Sequence, residues 1–169
     1  MKKLLLITLL AHNIYANTIE KSGDVLLLLI PSLAFGTTIY HDDREGSIQF
    51  LKSAATNAAI TYGLKYSINK TRPNGEDDHS FPSGHTSAVF QGASFIHRRY
   101  GLGYGILAYA GAFYTGYTRV QADKHYVEDV LAGALIGTLS SYAFTTASKV
   151  HFKPLLVNGR YGVGVSRSW

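Results

Sequence analysis

Three groups of polar residues in this sequence combine residue types that can bind and transform an anion. The groups are Lys65 with Arg72; Ser83, Gly84 and His85; and Arg119, His125 and Asp129. Lysine and arginine supply fixed positive charge, while histidine and carboxylate side chains can move protons or attack an electrophile. Each group by itself also has an ordinary structural explanation. Their meaning therefore depends on whether the fold brings them together.

The segment Pro82-Ser83-Gly84-His85 predicts a turn, a helix cap and then a helix. Serine is a favourable N-cap, and glycine lets the backbone come close to whatever lies in front of it. The free backbone N–H groups at such a helix start can bind an anion. A plain helix start has the same pattern, so this segment alone does not identify a site.

Lys65 and Arg72 stand seven positions apart, and Pro73 follows the arginine directly. If a helix persists through both residues, two turns bring them to one face. Pro73 then forces the chain out of the helix just after them. Two solvated cations near a helix C-terminus would also fit, because they interact favourably with the helix dipole.

His125 and Asp129 are four positions apart, which places both on one face at the start of a helix. A carboxylate there can accept a hydrogen bond from one imidazole nitrogen and leave the other nitrogen basic. The structural alternative is an ordinary salt bridge at a helix start.

Long uncharged runs predict an all-α fold, a single bundle of about five to six helices, because these runs exceed the length of ordinary strands. The expected helices cover residues 25–40, 46–67, 84–99, 102–117 and 126–148. Pro31 is expected to kink or divide the first helix. Gly133 and Gly137 predict a close-packing face on the last helix. The tail, residues 150–169, is expected to be a short β-like strand or irregular.

The order of the helices brings the three polar groups to one end of the bundle. Where the second and fourth helices end, the third and fifth begin, so all the candidate residues share that end. The active site is expected there. The opposite end carries residues 41–44, Arg98, Arg99 and Lys149.

The residue types at this end favour an oxyanion over a metal ion. Two histidines and an aspartate could ligate a metal, but three fixed cations in the same pocket would repel it. Lys65, Arg72 and Arg119 suit an anion of charge about −2, and the planar guanidinium group matches phosphate. The sequence therefore predicts a phosphate site without a metal.

With these three motifs in order, the sequence resembles the type 2 phosphatidic-acid phosphatase superfamily, which also includes bacterial acid phosphatases and vanadium haloperoxidases. The matching patterns are Lys-x6-Arg-Pro from Lys65, Pro-Ser-Gly-His from Pro82, and Arg-x5-His-x3-Asp from Arg119. Three motifs in the right order and spacing are far more specific than any one of them. The resemblance implies a helical bundle and a phosphatase activity.

The resemblance also implies a role for each residue. His125 would attack phosphorus and form a phosphohistidine, Asp129 would orient it, and His85 would protonate the leaving group. The phosphoryl oxygens would be held by Lys65, Arg72, Ser83, Gly84 and Arg119. Neither a metal nor any other cofactor would be needed, since the fixed cations neutralise the charge.

Two features depart from the family pattern. Thr118 stands where the family often has serine before the third-motif arginine, although it keeps a hydroxyl group. The loop between Pro73 and Pro82 is short, which implies little lid over the site. Its acidic run, residues 76–78, is expected to form a solvated turn or, alternatively, to contact a cationic headgroup.

Composition and the N-terminus indicate where the protein works. Lys2, Lys3 and the apolar residues 4–11 predict a secretory signal peptide at 1–16, followed by a phosphatase domain at 17–169. The net charge of +5 is not concentrated in a basic block, so no nucleic-acid partner is expected. The chain has no cysteine, which excludes a disulfide or thiolate site.

The sequence favours a membrane-embedded protein over a soluble one only narrowly. Residues 101–118 and 130–148 are long enough to span a bilayer, while the mean hydropathy of +0.03 is low for a membrane protein. We expect an inner-membrane protein with its site facing the periplasm, acting on a phosphatidic acid-like lipid phosphate. Membrane and phosphorylated lipid are thus the expected partners.

Three alternatives stay open at this level. The first is a soluble periplasmic acid phosphatase acting on small phosphomonoesters. The second is a vanadate-dependent haloperoxidase, in which vanadate occupies the phosphate pocket and His125 is its ligand. The third is a non-catalytic bundle that binds anionic lipid, which would have no need of His85 or of the His125–Asp129 pair.

Overall fold

Five helices and one hairpin make up the protein in a computed structural model that describes the backbone of residues 2–148, 150–157 and 160–167 and the side chains of residues 18–148. The elements are α1 (Lys2–Tyr40), α2 (Arg44–Ser67), α3 (Gly84–Tyr100), α4 (Leu102–Gln121), α5 (Val127–Phe144), β1 (Val150–Val157) and β2 (Arg160–Arg167). The predicted all-α bundle is confirmed, and the tail forms a two-stranded antiparallel hairpin.

The ends of two helices matter for the site. Helix α2 ends at Ser67, as predicted, and its C-cap Ile68 is extended, so the condition under which Lys65 and Arg72 would share a helical face is not met. Arg72 instead lies in the loop between α2 and α3. Helix α4 continues to Gln121, so Arg119 lies in its last turn and not in the loop that follows.

Helix α1 is longer than the sequence suggested, running from Lys2 to Tyr40 with Pro31 inside it. A division at Pro31 is therefore wrong. The signal peptide predicted at 1–16 involves side chains outside the described residues, and it stays a prediction.

Helix α3 is the centre of the bundle, in contact with each of the other four helices. Its buried apolar side chains form two clusters with residues from α1, α2 and α4. The clusters contain Ile30, Val89, Phe90, Ala93 and Ala112, and Ala34, Phe50, Phe95 and Ile96. Because the predicted Ser-Gly-His turn opens this helix, the start of the most buried element lies at the candidate site.

Helix α5 packs against α3 at backbone contact through Gly133 and Gly137. A β-carbon on Gly133 would lie 2.5 Å from the carbonyl oxygen of Ser83. A β-carbon on Gly137 would overlap the carbonyl oxygen of Ser87 and lie 2.8 Å from the amide nitrogen of Gln91. The two glycines therefore provide the close-packing face that the sequence predicts, and they bring the start of α5 to the start of α3.

At the opposite end of the bundle, a buried ion pair joins α3 to the start of α2. The Arg99 guanidinium donates to both oxygens of Asp43, at 2.5 and 2.7 Å, and Asp43 also caps α2 through the Gly46 amide. Arg99 is only 5% exposed. Arg99 thus lies at the end of the bundle where the sequence placed it, but it is buried in an ion pair, and Lys149 lies outside the described residues.

We predict that Gly137→Ala destabilises the fold by about 1–3 kcal/mol, since the new methyl group must push α5 away from the α3 backbone. Thermal unfolding of the detergent-solubilised protein measures the effect. Gly63→Ala is the matched control: the position is helical and open, so its stability should be unchanged or slightly higher. Equal melting temperatures for the two variants would contradict the packing described here.

Candidate active site

A cavity of about 820 Å³ opens at the end of the bundle where α2 ends and α3 and α5 begin. Six of the eight predicted site residues line it: Lys65, Arg72, Gly84, His85, Arg119 and His125. The other two, Ser83 and Asp129, have fully buried side chains. They are joined by a backbone hydrogen bond of 2.9 Å from the Ser83 amide to the Asp129 carbonyl.

Ser83 is used to cap α3. Its hydroxyl accepts from the amide of Thr86 at 3.4 Å and lies 2.9 Å from the Thr86 hydroxyl. The predicted cap is therefore present, but the Ser83 hydroxyl does not line the cavity. The part of this turn that faces the cavity comprises Gly84 and His85.

Lys65, in the last turn of α2, is held by the backbone of the turn before α3. Its ammonium group donates to the carbonyl oxygens of His79 at 2.6 Å and Pro82 at 3.0 Å. Burial, and then the nearby Arg72 guanidinium, lower the pKa of Lys65 below its usual value. These contacts fix one positive charge at the edge of the cavity.

Arg72 connects its loop to the segment that precedes α5. Its Nε donates to Asp77 at 2.7 Å, and its Nη1 donates to the Lys124 carbonyl at 3.2 Å and lies 3.4 Å from His125 Nε2. The Arg72 guanidinium thus lies beside a ring nitrogen of His125, the residue that the sequence analysis expects to be the nucleophile.

The acidic stretch 76–78 has more contacts than the solvated turn expected from the sequence. Asp77 pairs with Arg72, and Glu76 accepts from Lys124 at 2.7 and 2.8 Å. Both carboxylates line the cavity. Their charges compensate cations at its rim, which explains why an acidic run can lie beside a phosphate site.

Arg119 is buried, with 2% exposure, and each of its three guanidinium nitrogens has a hydrogen-bond partner. It donates from Nη1 to Asp24 at 3.0 Å, from Nε to the Thr118 hydroxyl at 3.2 Å, and from Nη2 to the Glu20 carbonyl. Thr118 therefore retains a hydroxyl contact to the arginine despite its departure from the family pattern. Gly23 makes room for this contact, because a β-carbon there would collide with both Thr118 and Arg119.

Asp24, on α1, is a site residue that the sequence reasoning missed. One of its carboxylate oxygens lies 2.9 Å from His85 Nε2 and also accepts from Arg119. The only sequence signal was an acidic residue directly before the uncharged run of α1. Because its partners are far away in the chain, no local spacing could have identified it.

His125 and Asp129 are both buried, but they do not form the predicted hydrogen bond. His125 Nδ1 lies 3.8 Å from Asp129 Oδ2 and has no hydrogen-bond partner among the described residues. The physical reason is that His125 precedes α5, whose N-cap is Tyr126, so helical spacing does not apply to this pair. The Asp129 carboxylate is instead bound by other groups: Lys70 at 2.6 Å, the Ser80 hydroxyl at 2.5 Å and the Tyr126 amide at 3.0 Å.

The surroundings of His125 keep its imidazole neutral. Burial and the neighbouring cations Arg72 and Lys65 lower the pKa of His125 to about 3, against the opposing attraction of Asp129. A neutral imidazole with its proton on Nδ1 has a lone pair on Nε2, and this lone pair accepts from Arg72 Nη1 at 3.4 Å. The arrangement can therefore bind an oxyanion and attack an electrophile attached to it.

Within the part of the chain whose side chains are described, no cluster of three or more histidine and acidic residues is arranged to hold a metal ion. The cavity is lined by cations and imidazoles, and by four carboxylates that pair with the cations or with His85: Glu20, Asp24, Glu76 and Asp77.

Comparison with known proteins identifies the family of these motifs. The family model described as the PAP2 superfamily matches residues 46–153. The matched range contains all eight predicted site residues, while Asp24 lies outside it.

Two named relatives act on lipid A according to their descriptions. The chain is 28% identical over 173 residues to a lipid A 4'-phosphatase of Helicobacter pylori, covering 91% of this chain and 87% of that protein. It is 37% identical over 98 residues to a lipid A 1-phosphatase of Porphyromonas gingivalis, covering 54% of this chain. The chain spans only 22% of the length of the Porphyromonas protein.

A solved structure shares the fold. It is a crystal structure of a transmembrane PAP2 type phosphatidylglycerolphosphate phosphatase from Bacillus subtilis, with a TM-score of 0.59 and 27% identity. The similarity covers 78% of this chain and 74% of that one.

The lowered pKa of His125 predicts a specific pH dependence of stability. The folded state leaves His125 neutral down to a pKa of about 3, while the unfolded chain takes up a proton near pH 6.5. Stability should therefore fall as the pH is lowered from about 6.5 towards 3, because the unfolded state binds more protons.

Thermal unfolding of the wild type and His125→Gln across this range checks the prediction. The variant should lose the part of the pH dependence that comes from protonation of His125, so its melting temperature should change less steeply with pH. The groups facing His125, namely Arg72, Lys65 and Asp129, are common to both proteins. Parallel pH curves would contradict a buried, neutral His125.

Proposed function

The chain belongs to the PAP2 superfamily, and we propose that it is a metal-independent phosphomonoester hydrolase that acts on a lipid phosphate through a phosphohistidine intermediate. One observation carries this proposal. A buried, neutral His125 lies within 3.4 Å of the Arg72 guanidinium, in the cavity that Lys65, His85 and Arg119 also line.

In the first step, the substrate phosphate binds among the fixed cations. Lys65, Arg72 and Arg119 supply donors and positive charge at the phosphate oxygens, and the proposed mechanism uses these groups in place of a metal ion. The N–H groups at the start of α3, at Gly84 and His85, have no partner within the helix and add donors. Ser83 acts here by capping α3, which fixes the direction of those donors.

In the second step, His125 Nε2 attacks phosphorus. The N–P bond forms as the ester P–O bond breaks, and His85 gives its proton to the departing alkoxide. His125 then carries a positive charge, and its Nδ1–H faces Asp129. Water next attacks the phosphohistidine while His85 takes a proton from it, and the P–N bond breaks to release phosphate.

Asp24 supports the acid role of His85 in this scheme. Burial and then the Arg119 guanidinium lower the pKa of His85, and the Asp24 carboxylate, 2.9 Å from His85 Nε2, opposes them by favouring the protonated imidazole. The same oxygen pairs with Arg119 at 3.0 Å. Asp24 therefore links the proton donor to one of the phosphate-binding cations.

The outer surface of the bundle supports a membrane location. Helix α1 contains, at Thr18–Tyr40, a segment long and apolar enough to cross a bilayer, the one such helix segment among the described residues. Large apolar side chains also face outwards on three helices: Leu28 is 71% exposed on α1, Leu107 82% on α4 and Leu131 64% on α5. A soluble protein rarely exposes so much apolar surface, whereas lipid would cover it.

We propose that the site faces the periplasm. Glu20 and Asp24 line the cavity, so the part of α1 just after residue 17 lies at the site end of the bundle. If the predicted signal peptide exports the N-terminus, the site is exported with it. The buried Arg99 at the other end adds no evidence on orientation.

A phosphate carried on a lipid headgroup is the proposed substrate class. The names of the relatives point to lipid A and phosphatidylglycerolphosphate, and the sequence suggested a phosphatidic acid-like compound. All of them present a phosphomonoester at the membrane surface, where the cavity at the end of the bundle would meet it.

We predict that His125→Ala lowers phosphate release from phosphatidic acid by at least about a thousandfold, because it removes the nucleophile. EDTA should leave wild-type activity unchanged. His97→Gln, which lies on α3 and contacts Tyr109, is the control and should retain activity. Full activity in His125→Ala, or a loss in EDTA that a divalent cation restores, would refute the mechanism.

A substrate panel tests the lipid specificity. Phosphatidic acid, phosphatidylglycerophosphate, lipid A and p-nitrophenyl phosphate are compared by kcat/KM in the same detergent. We expect at least one lipid phosphate to exceed the water-soluble ester clearly, since the cavity would be reached from the membrane surface. Equal values for all four would favour a non-specific acid phosphatase.

A further inference from the structure

We propose that Lys70 is a positioning residue for the nucleophile: it anchors the Asp129 carboxylate beside His125 and compensates its charge in the free enzyme, so that the attraction between the two groups takes effect when His125 becomes charged. This inference rests on the proposed phosphohistidine mechanism. It assigns a function to a residue that lies between Lys65 and Arg72 but does not line the cavity.

Lys70 is directed at the first turn of α5. Its ammonium group lies 2.6 Å from Asp129 Oδ1 and 2.8 Å from Glu128 Oε1. It also lies over the ring of Tyr126, at 4.4 Å from the ring centre. Since Asp129 is fully buried and Glu128 is exposed, the contact with Asp129 is the one shielded from solvent.

The backbone of Lys70 is held in place on both sides. Its amide donates to the Asp78 carbonyl at 3.0 Å, and its carbonyl accepts from the Ser80 amide at 2.9 Å. Ser80 in turn donates its hydroxyl to Asp129 at 2.5 Å. The loop therefore delivers two donors, from Lys70 and Ser80, to the same carboxylate.

The two oxygens of Asp129 have different partners. Oδ1 accepts from Lys70, while Oδ2 accepts from Ser80 and from the Tyr126 amide. Oδ2 is also the oxygen that faces His125 Nδ1, at 3.8 Å. The carboxylate thus has three donors, whereas the nitrogen Nδ1 of the imidazole beside it has no hydrogen-bond partner among the described residues.

The charges around His125 and Asp129 explain how the separation of 3.8 Å between them serves the reaction. Lys65 and Arg72 face His125, and Lys70 and Glu128 surround Asp129. Burial would raise the pKa of Asp129, but the bonds from Lys70, Ser80 and the Tyr126 amide outweigh it and hold the pKa low. With its charge compensated by Lys70, Asp129 attracts a proton to His125 only weakly, so the nucleophile stays neutral.

Phosphorylation of His125 changes this balance. The imidazole becomes cationic, its attraction to Asp129 grows, and closing the gap of 3.8 Å to a charge-assisted hydrogen bond of about 2.8 Å takes a movement of about 1 Å. Lys70 keeps the carboxylate in the place where that bond can form. The transition state would gain an interaction that the free enzyme lacks, which is the condition for raising kcat.

Three variants of the full chain separate this role from a purely structural one. Lys70→Met removes the charge and the donor, Lys70→Arg keeps both, and Glu128→Gln changes only the exposed partner. For Lys70→Met we expect kcat to fall by about 10- to 100-fold with KM within about threefold of wild type. Lys70→Arg should recover most of the activity, and Glu128→Gln should resemble the wild type.

The pH profile supplies a second readout. Without Lys70, the uncompensated Asp129 should make His125 easier to protonate, so the acid limb of kcat/KM should move to higher pH. Lys70→Gln, which keeps a donor without the charge, should show the same shift if Lys70→Met does not fold. An acid limb of kcat/KM that does not shift would overturn the proposal. A raised KM with unchanged kcat would also overturn it, because that result would indicate that Lys70 binds the substrate phosphate.

Trapping the phosphoenzyme distinguishes failure of this inference from failure of the proposed function. Wild-type enzyme is quenched after mixing with radiolabelled phosphatidic acid, and acid-labile, base-stable label is measured. No such label in the wild type would refute the phosphohistidine mechanism. Label that forms in Lys70→Met as fast as in the wild type would refute only the role of Lys70.

Discussion

The fully buried carboxylate of Asp129 is the interaction on which the rest of the site depends. It receives Lys70 and Ser80 from the loop before α3 and the Tyr126 amide from the start of α5. Its backbone carbonyl accepts from Ser83, the cap of α3. One residue thus joins the loop, the central helix and the segment carrying the nucleophile. Burying a charge in this way is tolerable because three donors, one of them a cation, bind the carboxylate.

The cations of the site are held by acceptors before any substrate arrives. Arg119 is paired with Asp24, Arg72 with Asp77, and Lys65 with two backbone carbonyls. This arrangement orients each donor in advance, so little reorganisation is needed when charge develops on a bound phosphoryl group. Burial, together with the positive charges of Arg72 and Lys65, also lowers the pKa of His125 and so keeps its imidazole neutral.

The bundle combines a polar end with an apolar outer surface. Helix α3 occupies the centre, and glycines on α5 let it approach α3 at backbone contact. Outward-facing leucines on α1, α4 and α5 leave an apolar surface that lipid would cover. The close packing of α3 and α5 therefore serves the site, since it brings Ser83 and Asp129 together, while the apolar outer faces support the proposed location at a membrane.

The sequence by itself determined the helical class, the close-packing glycines and the motif residues, because periodicity, small residues and spaced polar groups are local signals. It also led to the right end of the bundle, since short connections force consecutive helices to alternate. Local spacing failed where the chain leaves the helix: Arg72 and His125 both lie in loops, so helical periodicity did not predict their partners. Only the tertiary structure brought Asp24 to His85 and Lys70 to Asp129. These contacts join residues far apart in the chain, and long-range electrostatic pairing leaves no periodic trace in a single sequence.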